Sequence, residues 1–274
     1  MPGSLSAQDR TGEMVRVTTQ DGNVFIGEVL MKDDTTITIR VEGVGEISIV
    51  KSNIRSIQNL DEGEVRDGVY WFSNPHGTRY FFAPNAIGLK KGAGYFQNTW
   101  IFFNNANYGF TNNFSMGAGL IPLFLFGETI LPFWILPKFS VPISPDQFYV
   151  GAGALVGGVM GEDTDGSFGL LYGNTTLGDR NGNVTLGLGY GFGGGEFSDS
   201  PLINISGMYR SGRSMQWLGE VYIVPGFDDG GFGIFGGRWA PENFALDFGL
   251  LVPLTGGELI GIPWLGVTIP FGNK

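Results

Sequence analysis

Cysteine is absent from the 274 residues, and histidine occurs once. No disulfide framework or Cys/His zinc module can be built from such a chain, and histidine-based catalysis has a single position to use. Charge is scarce too. Asp, Glu, Lys and Arg make up 15% of the residues, against ~25% in ordinary soluble domains. The net charge of −10 provides no basic face to displace counterions from phosphates, so nucleic acid is not an expected partner. A membrane helix is also missing. The most apolar stretch, residues 120–137, is interrupted by Gly127, Glu128 and Thr129 and broken by Pro122, Pro132 and Pro137. Two strands joined by a loop fit it better.

What is abundant is glycine, 47 residues, with aromatics at 14%. These are unevenly placed. Residues 1–68 hold 19 charged side chains and 8 glycines, whereas residues 69–274 hold 23 and 39. A water-facing domain followed by a charge-poor one in a different solvent explains this split. The reading is all-β: residues 1–12 as a residual signal or flexible start, 13–60 as a small β-domain, 61–77 as a linker, and 78–274 as an antiparallel transmembrane β-barrel.

In the first domain Val15, Arg16, Val17 and Thr18 alternate with period two, and Asp21-Gly22 supplies a hairpin turn. Further strands follow over residues 24–31, 35–41 and 46–49, which suggests an SH3- or Sm-like barrel. The run from Val15 to Arg40, with Asp21-Gly22 and then Gly27, resembles the first Sm motif. The asparagine and basic residues that Sm proteins use on RNA are not evident, so the resemblance extends to shape alone, as a packing or docking module.

From about residue 78 onward, apolar and aromatic segments of roughly ten residues alternate with Gly/Asn/Asp/Pro turns, the signature of a transmembrane barrel. Val184, Leu186, Leu188, Tyr190 and Phe192 share one face, opposite Asn183, Thr185, Gly187, Gly189 and Gly191. Phe244, Leu246, Phe248 and Leu250 repeat this opposite Ala245, Asp247 and Gly249. Large side chains outward and small or polar ones inward suit a lipid exterior and a polar lumen. About twelve strands are expected, starting near Arg79 and ending at Phe271, with ten if the first hairpin, around Lys90-Lys91-Gly92, lies outside the wall. An even count puts both chain ends, and so the small domain, on the periplasmic side.

The connections fall into two sets. Tight turns lie at 111–113, 144–146, 179–182, 211–213 and 240–242. The others are acidic, carrying Glu128; Glu162, Asp163 and Asp165; Glu196 and Asp199; Asp228 and Asp229; and Glu258, with no lysine or arginine. Short periplasmic turns and longer outer loops are expected of outer-membrane barrels. Residues 4–8, Ser-Leu-Ser-Ala-Gln, look like the tail of a secretory signal. The last strand, residues 265–271, resembles the C-terminal assembly signal of outer-membrane barrels, although Gly272, Asn273 and Lys274 follow its aromatic residue. Residues 72–84, with 89–98 after them, look like the linker and first hairpin of uncharacterised Gram-negative outer-membrane barrels that carry an Sm/SH3-like domain in front. That resemblance implies fold and location and no activity.

No catalytic constellation is evident, and neither a cofactor nor a metal is expected. His76 sits in an Asn-Pro-His-Gly turn, away from any wall serine. Glu220, Arg238 and Asp247 are expected to form an ion cluster inside the barrel, or to set ion preference in a pore. The acidic outer loops, Glu162, Asp163, Asp165, Asp228 and Asp229 among them, read as solvated or as bridging through cations to lipopolysaccharide. The six tryptophans read as interfacial girdles. The expected function is a narrow porin-like channel for small solutes or cations. The alternative is a non-conducting structural or assembly component that docks a periplasmic or outer-membrane protein partner. The expected surroundings are outer-membrane lipid and lipopolysaccharide.

Overall fold

The computed structural model describes residues 12–60, 64–66, 69–123, 127, 130–161, 166–225, 230–254 and 261–272. The chain divides into two units, Met1–Ser73 and Asn74–Lys274.

The first unit holds β1 (Met14–Thr19), β2 (Val24–Lys32), β3 (Thr36–Val41), β4 (Gly45–Val50) and β5 (Ile54–Asn59), antiparallel in the order β4-β3-β2-β1-β5. Alternation sends Val15, Val17, Val29, Ile37, Ile39 and Ile49 into one core. The Asp21-Gly22 turn forms as its residues dictate. Gly22 takes φ +89°, a region open to glycine at little cost. Gly27 is fixed by crowding, since a Cβ there would stand 2.3 Å from the Arg40 carbonyl oxygen. A two-stranded ladder, β6 (Val65–Arg66) with β7 (Val69–Tyr70), follows.

The second unit is a closed barrel. Its wall strands are β8 (Ala93–Thr99), β9 (Phe103–Gly109), β10 (Phe114–Leu120), β11 (Leu131–Ser144), β12 (Phe148–Met160), β13 (Ser167–Gly178) and β14 (Gly182–Gly193). After a two-residue ladder on β14, β15 (Glu196–Phe197), come β16 (Leu202–Arg210), β17 (Met215–Ile223), β18 (Gly231–Trp239), β19 (Ala245–Pro253) and β20 (Ile262–Gly272). Each wall strand pairs antiparallel with its neighbours, and β20 returns to β8 from Gly266↔Thr99 to Gly272↔Ala93, so twelve strands close the ring. No helix among the described residues is long and apolar enough to cross a membrane. Period-two alternation decides which side chains face out. On β14, Val184, Leu186 and Leu188 are exposed while Asn183 and Thr185 are buried. The exterior is therefore an apolar belt and the interior is polar, the inverse of a soluble barrel.

The prolines of residues 120–137 are absorbed where the ladder can spare a donor. Pairing of β11 to β12 passes from Ile135↔Val156 to Lys138↔Gly153, skipping Leu136 and Pro137, and shifts register beyond Pro142. The wall is uneven in height. β8, β9 and β10 have 7 residues each, against 14, 13, 12 and 12 for β11 to β14.

One expectation is corrected. The first wall strand expected near Arg79 does not form there, and the wall starts at Ala93. Residues 74–90 lie inside the ring instead. The wall still has twelve strands, because residues 93–109 form two of them, β8 and β9, joined by a turn at residues 100–102.

Candidate functional site

The interior is occupied by the protein's own chain. Residues 74–90 enter from the short-turn end, where Asn74 Nδ2 donates to the Arg180 carbonyl at 2.6 Å and Gln216 Nε2 donates to Asn74 Oδ1 at 3.2 Å. The segment then folds back on itself. Tyr80 N donates to Ala83 O at 2.9 Å, Arg79 bridges Pro84, and Asn85 Nδ2 donates to Gly77 O at 2.9 Å. It leaves by the same end, with Arg180 Nη2 on Gly88 O at 2.6 Å and Lys91 N on Asn112 Oδ1 at 2.8 Å. Two glycines allow the passage. A Cβ on Gly77 would meet Arg180 O at 2.5 Å, and one on Gly88 would meet Asn112 O at 2.6 Å.

Inward-facing polar side chains of the wall hold this hairpin largely by its backbone. Ala86 N donates to Thr176 Oγ1 at 2.8 Å, Lys138 Nζ donates to Ile87 O at 2.8 Å, and Asn174 Nδ2 donates to Pro84 O at 2.9 Å. Tyr80 OH donates to Asn183 Oδ1 at 2.6 Å. Buried polar groups need partners, and the wall and the segment supply most of each other's, while Asn174 Oδ1, Gln216 Oε1, Ser140 Oγ and Arg79 Nε are buried without one.

The charged residues singled out in the sequence divide into two places. Arg238 and Asp247, register partners on β18 and β19, form a two-point ion pair at 2.5 and 3.1 Å. Arg79 of the hairpin joins Asp247 at 3.1 Å. Arg238 spends its remaining donors on His76 O at 3.1 Å and Tyr80 O at 2.6 Å. Glu220 is not part of this cluster, contrary to expectation. It accepts from Phe82 N at 2.9 Å, Ala83 N at 3.3 Å and Tyr222 OH at 2.6 Å. The carboxylate thus clasps the hairpin apex, where two backbone donors with no strand partner are turned toward it. Sequence reasoning missed Arg79 and Lys138 because their partners are a distant carboxylate and backbone carbonyls, which leave no local pattern.

His76 lies buried in the hairpin, its N–H on Asn74 Oδ1 at 3.0 Å. The tryptophans do not form one girdle. Trp217 and Trp239 are exposed on the wall, whereas Trp134 and Trp264 are buried facing inward. Trp71 belongs to the first unit, and Trp100 occupies the turn between β8 and β9. The acidic loop residues Glu162, Asp163, Asp165, Asp228 and Asp229 lie outside the described residues, as do residues 4–8.

A closed antiparallel ring of twelve strands with an apolar exterior and polar interior is a membrane-barrel architecture. No family model matches the chain, and no curated protein matches it either. Among solved structures, CdiB from Acinetobacter baumannii is similar at 10% identity and a TM-score of 0.26, with 95% of this chain and 59% of that chain covered. This chain spans 59% of that protein's length, and a likeness at that level extends none of its properties here.

Proposed function

We propose that the protein is an integral outer-membrane β-barrel whose lumen is closed at rest by residues 74–90, so that it anchors its N-terminal unit on the periplasmic side and does not serve as an open porin. The observation that carries this reading is the buried hairpin, bonded to the wall through Arg238, Lys138, Arg180, Thr176 and Glu220. An open channel would leave such inward polar groups to water. Here they are committed to the protein's own carbonyl and amide groups. The N-terminal sheet, which we read as SH3/Sm-like, then becomes the part that meets a periplasmic or outer-membrane protein. No enzymatic role is assigned to either unit.

The test is planar-bilayer conductance of the full-length, heat-modifiable protein. The closed reading expects no discrete steps from the wild type and steps from a variant with residues 74–90 replaced by a Gly/Ser linker of equal length. Cation-selective steps from the wild type would overturn it in favour of the channel.

A further inference from the structure

The wall holds the carbonyls of the hairpin with two kinds of donor, and the simpler kind would suffice. Neutral amides serve near the apex, where Gln97 Nε2 donates to Phe81 O at 3.2 Å and Asn174 Nδ2 to Pro84 O at 2.9 Å. Elsewhere the wall donors to hairpin carbonyls are cations. Arg180 Nη2 donates to Gly88 O at 2.6 Å, and Lys138 Nζ donates to Ile87 O at 2.8 Å and Thr78 O at 3.4 Å. Arg238 Nη2 donates to Tyr80 O at 2.6 Å, and its charge is balanced by Asp247. Lys138 and Arg180 form no ion pair with any described residue, and the exposed Asp146 carboxylate acts on Arg180 only from beyond ion-pair distance. An amide would satisfy the same carbonyls without burying a charge, which is unfavourable when no carboxylate answers it. A cation set against a neutral oxygen has more binding capacity than the hairpin uses. An anion in the carbonyl's place would use it fully.

The hairpin also gauges the passage it fills. Its limbs are bridged at Arg79 and Pro84, and two strands at the usual spacing of ~4.8 Å occupy a slot about 10 Å across. Glycines on the wall keep that space from being refilled. A Cβ on Gly151 would stand 3.2 Å from Ala86 Cα, and Gly187 lies beside Asn174 and Asn204 on the same inner face. Neither position has a side chain to swing inward. When residues 74–90 are withdrawn, Arg79 goes with them and Asp247 keeps Arg238. Of the charged wall residues that held the hairpin, Lys138 and Arg180 are then unbalanced on one side and Glu220 on the other. In water at neutral pH both basic groups are cations, and basic side chains bordering a narrow path favour anions.

We propose that residues 74–90 close a passage for small anions, with Lys138 and Arg180 as the groups that favour anions over cations. This rests on the reading that the hairpin closes a membrane barrel. The acidic loops at the opposite mouth carry the other sign. Their field fades over ~10 Å at about 0.1 M salt, whereas Lys138 and Arg180 border the path itself. The deciding measurement is the reversal potential, across a KCl gradient in a planar bilayer, of the protein with residues 74–90 replaced by the Gly/Ser linker. Chloride favoured about threefold or more over potassium is the expected result, falling to near parity when Lys138→Gln and Arg180→Gln are added. Potassium preferred, or neither ion preferred, overturns the anion passage and leaves the closed-barrel reading intact. Chloride preference that the two substitutions do not lower overturns the assignment to Lys138 and Arg180. No conductance steps, in protein that is heat-modifiable, overturn the closed-barrel reading itself. If the linker variant does not fold, the full chain carrying Gly77→Val and Gly88→Val takes its place in every arm. Both changes drive a side chain into backbone, at Arg180 O and Asn112 O, and so force the hairpin from its seat.

Discussion

Arg79 and Asp247 lie 168 positions apart and meet at 3.1 Å inside the barrel, where Asp247 also holds Arg238. One carboxylate thus serves two buried guanidinium groups, one on the wall and one on the hairpin, and their Nη atoms also donate to hairpin carbonyls and Thr268.

Removing the shared carboxylate is expected to cost more than removing either cation. Asp247→Asn leaves two buried positive charges uncompensated, a loss of about 3–5 kcal/mol. Arg79→Met leaves the Arg238–Asp247 pair intact and costs less. Urea midpoints of the folded barrel, followed by its electrophoretic mobility, give the order. Equal midpoints for the two variants would refute the shared role of Asp247.

Glu220 gives a test of the apex. Glu220→Leu strands the amides of Phe82 and Ala83 and the Tyr222 hydroxyl, at about 1–3 kcal/mol for each unpaired group. Glu220→Gln retains one acceptor oxygen and loses less. Proteolysis at the hairpin should therefore be faster in Glu220→Leu than in Glu220→Gln, with the wild type slowest. An unchanged cleavage rate in Glu220→Leu would show that the apex is held by other means.

Gly77→Ala would push a methyl group to within 2.5 Å of the Arg180 carbonyl oxygen, a backbone atom with little room to yield. The expected penalty is about 1–3 kcal/mol, paid by displacement of the hairpin rather than the wall. Hydrogen exchange should rise at residues 76–88 and stay unchanged in β13 and β14. Exchange rising equally in those strands would place the strain in the wall.

The N-terminal unit carries a pH-dependent turn. The Thr36 hydroxyl first, then the amides and hydroxyl at Thr35 and Thr36, hold the Asp33 carboxyl well below the usual carboxylate range. A depressed folded value means that the stabilisation is fully present above the unfolded pKa near 3.8 and is lost as pH falls below it. Hydrogen exchange of β2 and β3 in the full chain should accelerate on acidification below about pH 4. Asp33→Asn should be less protected at pH 7 and should lose less on acidification. A variant with the wild-type acid response would remove Asp33 as the cause.

The wall was legible because alternation is a local signal. Val184, Leu186 and Leu188 face out and Asn183 and Thr185 face in, as period two dictates. The turn chemistry of Asp21-Gly22 and the alternation of tight turns with longer loops were equally local. Residues 74–90 were not legible. Tyr80, Phe81 and Phe82 imitate the apolar start of a strand, and what makes them a hairpin is a set of bonds from distant side chains to their backbone. Glu220 was misassigned for the same reason, since a charged residue suggests a charged partner and amide groups carry no sequence signature. The height of the rim was hidden too, because the ends of β8 to β10 depend on where the Trp100 turn closes.

Both limbs of the hairpin pass through the same mouth, Asn74 and Gly88 each at Arg180. The segment is inserted rather than threaded, so no wall strand must part to admit or release it. Closing the ring and filling it are therefore topologically independent events, and a pull on residue 74 would draw the hairpin out without unzipping any strand pair of the wall.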